Sequence, residues 1–148
     1  AFREGRSPDL LAREVREVIG LTERQGRAVE RFRTRLIEEG VAADAIERRA
    51  GKYAEAQLRH RAQVIARQET LDSSNAGQDA LWREARAQGL LNPQATRRVW
   101  IATDDDRLEP LCEALDETEA PLDGPFNDGT MRPPRHVQCR CSVGLTFK

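Results

Sequence analysis

Four residues near the C-terminal end have types and spacing suited to metal chemistry: Cys112, His136, Cys139 and Cys141. All three cysteines lie in the last quarter of the chain, and His136 is one of only two histidines. Zinc takes four nitrogen or sulfur ligands in a tetrahedron, and a turn reading His136-x2-Cys139-x-Cys141 supplies two or three of them from neighbouring backbone positions. Cys112 stands 24 residues before His136 and can close the shell from a second knuckle. The metal reading is therefore one structural zinc held by Cys112, His136, Cys139 and Cys141. The pattern departs from paired C-x2-C knuckles, because Glu109 occupies the place of a first cysteine before Pro110-Leu111-Cys112. Two other readings stay open. Reduced cysteines serve as small buried hydrophobes, and an oxidised chain could join Cys112 to Cys139 or to Cys141, leaving one thiol over.

Other reactive types fall short of a site. Asp104-Asp105-Asp106 could attract a hard cation, yet it lacks the glycine and distal glutamate of a calcium loop and reads as a solvated turn. Glu69, with Arg67 and Asp72 nearby, has no nucleophile and base beside it, so a cap or an ion pair is its expected role. His60, between Arg59 and Arg61, reads as a surface residue. The arginines Arg24, Arg27, Arg31, Arg33 and Arg35, then Arg48, Arg49, Arg59, Arg61 and Arg67, could track DNA phosphates. Glu30, Glu38, Glu39, Glu47 and Glu55 are interleaved with them, which is the pattern of solvated, ion-paired helix faces. No catalytic constellation emerges, and the chain is read as a non-enzyme.

The elements that must position the cluster follow from composition and periodicity. In 148 residues, 33% are charged and 5% aromatic, with a net charge of −1. Long solvated helices suit that balance better than one large core, and an elongated protein is expected. No apolar run approaches the roughly 18 to 20 residues of a membrane span. The chain is therefore expected to be soluble and intracellular, where thiols stay reduced. Its opening on Ala1-Phe2-Arg3-Glu4-Gly5 suggests a fragment or a processed chain.

Ser7-Pro8 starts a first helix with Leu10, Leu11, Val15, Val18 and Ile19 on one stripe, ended at Gly20. Thr22-x-x-Gln25 has the form of a capping box, predicting a second helix from about Glu23 to Glu39, stopped by Gly40. Asp44-x-x-Glu47 repeats that signature and predicts a third helix to about Gln68. The turn-rich run from Glu69 to Gly77 then separates a fourth helix, which ends at Gly89. After Asn92-Pro93, residues 97 to 103 read as a strand, and Ser142 to Phe147 as a closing strand paired with it. Residues 116 to 135, with Pro121, Gly124, Pro125, Gly129, Pro133 and Pro134, read as a loop that a metal at Cys112 and His136 would pin at both ends.

Taken in order, Ile65-Ala66-Arg67-Gln68-Glu69-Thr70, Asn75-Ala76-Gly77, Leu81-Trp82, Trp100-Ile101-Ala102-Thr103-x-Asp105-Asp106-Arg107, Pro110-Leu111-Cys112, Leu122-Asp123-Gly124 with Phe126, and His136-x-x-Cys139-Arg140-Cys141 resemble the phage Mu F-like head-morphogenesis family of minor head proteins. The resemblance covers about residues 45 to 148, and Ile19-Gly20-Leu21-Thr22-x-Arg24-Gln25 is similar to the segment that precedes the domain in many members. It implies an α+β fold: a helical N-terminal arm over 1–43, then a Mu F-like domain over 44–148 with a short β-sheet and a zinc-knuckle-like end over 97–148. It further implies a structural protein of the virion head near the portal, present in the host cytoplasm during assembly. Its implied partners are portal or major capsid subunits, with a homo-oligomer and a packaged-DNA contact as further possibilities and no membrane. A zinc-containing DNA-binding module acting in genome packaging or ejection is the alternative function. Family members with a Cys-Pro-x-Cys before the loop and His-Pro-x-Cys-Arg-Cys after it look like zinc knuckles. Here Glu109 and Val137 replace the first cysteine and the proline, so Glu109 or Asp106 is a possible oxygen ligand in place of a sulfur.

Overall fold

A computed structural model describes residues 7–148; the expectations for residues 1–6 lie outside the described residues. The elements run α1 (Pro8–Val18), α2 (Glu23–Glu38), α3 (Ala43–Ala87), β1 (Thr96–Ile101), α4 (Pro110–Glu113), β2 (Glu119–Pro121) and β3 (Ser142–Phe147). The chain divides within α3 into two compact units, the second comprising Gln68–Lys148. The boundary read from sequence, between residues 43 and 44, falls at the start of α3. No helix among the described residues is long and apolar enough to cross a membrane.

In the first unit the caps act as their residue types require. Ser7 Oγ accepts from the Leu10 N–H at 3.3 Å, with Pro8 opening α1. Thr22 and Gln25 form the full capping box of α2, Gln25 N–H to Thr22 Oγ1 at 3.2 Å and Thr22 N–H to Gln25 Oε1 at 3.0 Å. Gly40 takes the left-handed conformation, φ 70°, that lets its neighbours close the last carbonyls of α2. Ala12 packs on Ala62 and Ala66, flanked by Leu11, Val15 and Ile19. The Phe32 and Tyr53 rings lie 4.9 Å apart between α2 and α3.

Two helix expectations are corrected. Asp44 is not an N-cap: α3 already starts at Ala43, and the Ile46 N–H bonds to the Ala42 carbonyl at 2.9 Å. Asp44 instead faces Arg48 at 3.4 Å, while Glu47 reaches Arg33 of α2 at 3.0 Å, so both carboxylates are drawn into ion pairs rather than onto backbone amides. The break between Glu69 and Gly77, and with it the separate fourth helix, is absent; α3 is one helix of 45 residues. The cap-forming Asn75 is buried and its Nδ2 donates back to the Leu71 carbonyl at 3.0 Å, within the helix, while Leu71 and Trp82 pack on the core of the second unit. Packing of these apolar residues outweighs a weak local preference for a turn. Gly89, φ 75°, ends the helix as its type predicts.

The second unit is built on an antiparallel sheet of order β2-β1-β3. β1 and β3 pair over their full lengths, from Thr96 opposite Phe147 to Ile101 opposite Ser142. The run read as loop holds a further strand, β2, with α4 just before it; Arg97 lies opposite Pro121 and Val99 opposite Glu119. A three-residue edge strand ending in proline carries almost no periodic signal, and Pro121 is tolerated because it lies on the edge. Thr96, Arg98 and Trp100 point inward, and Trp100 joins Cys112, Leu115, Ala120, Phe126, Cys139, Cys141 and Val143 in the core.

Candidate metal centre

α4 carries Cys112, and the turn before β3 carries His136, Cys139 and Cys141. Pro110 opens α4 and the Cys112 N–H bonds to the Glu109 carbonyl at 2.8 Å, which seats the thiol inward at 1% exposure. The Cys139 N–H bonds to the His136 carbonyl at 3.1 Å, with Gln138 at φ 64° turning the chain. Two backbone groups of that turn are held by one side chain of α3: Gln68 Oε1 accepts from the Gln138 N–H at 3.0 Å, and Gln68 Nε2 donates to the His136 carbonyl at 3.4 Å.

The ligand atoms of Cys112, His136 and Cys139 all lie within 4.8 Å of one another. Cys112 Sγ is 3.9 Å from Cys139 Sγ and 3.2 Å from His136 Nε2. With metal–ligand distances of about 2.3 Å to sulfur and 2.0 Å to nitrogen, a tetrahedral zinc site has edges of about 3.8 Å between sulfurs and 3.5 Å between sulfur and nitrogen. The donor set therefore has the size such a site requires. His136 Nδ1 lies 2.9 Å from the Val137 carbonyl. A carbonyl only accepts, so Nδ1 is the donor there, and Nε2 is the ring nitrogen turned toward the Cys112 thiol, where a neutral imidazole would ligate a metal.

Cys141 does not share the mutual distance of the other three. It is buried beside Cys112 and Cys139 in the same core cluster, and the three thiols are free, so no disulfide joins them. The Trp100 indole N–H is buried in the same core as Cys141 and opposes the rise that burial imposes on that thiol. Burial raises the Cys112 and Cys141 pKa values, and the crowding thiols add to the rise at Cys112. Cys139 is likewise penalised by burial, but the backbone N–H groups of Cys141 and Arg135 outweigh it and lower its pKa. Buried thiols beside an imidazole nitrogen are a donor set that a soft divalent cation would ionise and bind.

Glu109 is exposed at the N-cap of α4 with no cap bond of its own, and it lines a small hollow with Cys112, His136, Gln138, Arg140 and Cys141. It lies at the rim of the cluster. Asp106 faces Arg107 at 3.9 Å. The middle aspartate of the triplet plays a structural part. Asp105 takes a bidentate pair from Arg140, which stands between Cys139 and Cys141, while Thr103 Oγ1 donates to the Arg140 carbonyl at 3.0 Å. Glu69 makes no ion pair among the described residues, and His60 is exposed, as its setting predicts.

Residues 27–144 match the family described as Phage Mu protein F like protein. The chain belongs to the phage Mu F-like family. No curated protein and no solved structure matches it. As a phage Mu F-like protein it is phage head-related, and the family region takes in all four candidate ligands and most of the sheet.

Sequence reasoning missed three residues around the centre of this phage Mu F-like chain. Gln68 belongs to the recognisable run 65 to 70, but nothing local shows that it reaches a turn 68 residues on. Trp100 is legible as a strand residue, whereas the direction of its N–H is not. Arg98 is 1% exposed and donates to the carbonyls of Pro121 at 3.2 Å, Met131 at 2.7 Å and Gly124, and lies 3.4 Å from Asp79. Its guanidinium also stands over the Phe126 ring. It thus orders the segment between β2 and the metal-ligand turn, whose proline and glycine content signals only a loop.

Proposed function

We propose that this protein is a non-enzymatic structural component of a phage head, acting at or near the portal during capsid assembly, with one structural zinc held by Cys112, His136, Cys139 and Cys141. Family membership over residues 27–144 carries the head assignment. Cys112, His136 and Cys139 lie within reach of one ion, and with Cys141, buried in the same core, as the fourth ligand the tetrahedron would leave no position for substrate or water, which supports a structural role for the metal. Bound there, zinc would cross-link α4 to the turn before β3. Portal or capsid subunits are the partners this reading calls for, and the virion is where the protein would reside.

Two measurements test it. Elemental analysis of protein purified without added metal should find one zinc per chain in the wild type and none in Cys112→Ser; a metal-free wild type would remove the zinc. Quantitative mass spectrometry of purified virions should find the protein in heads, and deleting its gene should lower the yield of filled heads. Normal heads without it would overturn the assembly role.

A further inference from the structure

The helical unit holds a hollow that neither the metal centre nor the family assignment uses. α1 packs on α3 through Ala12 against Ala62 and Ala66, and alanines on both sides of a seam let two backbones approach closely. Long side chains flanking the seam are then left standing around one space. That space is about 390 Å³ and is lined by Asp9, Ala12, Arg13, Arg16, Arg59 and Gln63. Arg13 and Arg16 are one turn apart on α1, and Arg59 and Gln63 one turn apart on α3.

Nine other arginines face carboxylates within 4.0 Å, whereas Arg13, Arg16 and Arg59, like Arg24, Arg31 and Arg35 of α2, make no ion pair or side-chain hydrogen bond among the described residues; what sets the first three apart is that they stand around one hollow, even though Asp9 lines it too. Charge is also segregated along the chain. Residues 1–67 hold 15 Lys and Arg against 11 Asp and Glu, whereas residues 68–148 hold nine against 14. A polyanion is therefore attracted to the helical unit and repelled by the unit that carries the metal ligands.

Guanidinium forks donate paired N–H groups to phosphate oxygens. Arg13 and Arg16 are separated by about 4.5 Å of rise along α1, close to the roughly 3.4 Å of axis per phosphate on one DNA strand. At about 390 Å³ the hollow is larger than one phosphate group. We propose that the space between α1 and α3 binds the phosphodiester backbone of nucleic acid, with Arg13, Arg16 and Arg59 donating to phosphate oxygens and Gln63 adding a neutral donor. Among the described residues that line the hollow, Asp9 is the one opposing charge, and it tempers the affinity.

Fluorescence anisotropy of the full chain with a labelled duplex oligonucleotide, over a salt series, tests this. The triple variant R13Q/R16Q/R59Q should bind about tenfold or more weakly at low salt, and its slope of log K against log salt should fall by roughly 0.9 for each phosphate no longer neutralised. Asp9→Asn should bind more tightly. The control R24Q/R31Q/R35Q, which removes the same charge from α2 arginines outside the hollow, should lose clearly less than the hollow variant. The substituted arginines are exposed, and circular dichroism checks that the helices persist. The proposal is overturned if the wild type does not bind, if the hollow variant binds like wild type, if the control loses as much, or if polyglutamate displaces the protein as well as unlabelled duplex at equal charge.

Discussion

A single glutamine braces the turn that carries two of the candidate metal ligands. Gln68 satisfies one donor and one acceptor of the turn that carries His136 and Cys139, so removing it leaves the ligands in place but lets their backbone move. Residues that orient ligands in this way are commonly worth about 10 to 100-fold in metal affinity. Gln68→Ala should weaken zinc binding by about that factor in competition with a chromogenic chelator, with helix content unchanged. An affinity equal to wild type would show that the turn is fixed by other contacts. Asp105 makes a different kind of contribution. The Arg140 side chain and then the Arg107 N–H hold its carboxyl well below the usual carboxylate range. A carboxylate with a depressed folded pKa adds stability while the unfolded chain is ionised and loses it as pH falls through the folded pKa. The loss therefore sets in below about pH 4, where an unfolded aspartate takes up its proton. The stability gap between wild type and Asp105→Asn should be constant from neutral pH to about pH 5 and close below about pH 4; a gap that persisted undiminished at low pH would assign it to packing.

At the scale of elements, what was legible was what is local. The first two helices end where Ser7-Pro8, Thr22 with Gln25, and Gly40 place them, because a cap acts on amides within its own turn. β1 and β3 show their alternation. The unbroken α3 was not legible, because Asp72, Ser73, Ser74, Asn75 and Gly77 favour turns while the contacts that override them come from residues far along the chain. α4 and β2, of four and three residues, are too short for periodicity to register and owe their position to Arg98 and the core. Cys112, His136 and Cys139, which lie close enough to hold a metal ion, were legible as candidate types, whereas the setting of Cys141 beside Trp100 was not. The continuity of α3 has a direct consequence at Gly77: a methyl group there would meet nothing within 4 Å. Glycine inside a helix costs roughly 0.5 to 1 kcal/mol relative to alanine. Gly77→Ala should raise the unfolding free energy by about that amount in urea. A neutral or destabilising result would indicate a turn at this place in solution.

For the whole molecule, the distribution of cohesion between the units matters more than its total. The helical unit is held by caps, a small alanine seam and ion pairs that include one spanning α2 and α3, none of which involves the cysteines. The second unit places Cys112, Cys139 and Cys141 inside its core with Trp100 and Phe126, so three of the proposed metal ligands are also part of the apolar packing. If zinc ties α4 to the turn before β3, its removal leaves three crowded buried thiols, and the unit loses binding free energy that counts as folding free energy. Hydrogen exchange should then separate the two. Stripping the metal with a chelator under reducing conditions should accelerate exchange in residues 108–141 and in β3, while α2 and the part of α3 before Arg67 keep their protection. Uniform acceleration along the chain would mean that both units unfold together on metal loss, and unchanged exchange throughout would mean that Trp100, Phe126 and the Arg98 contacts hold the second unit without zinc.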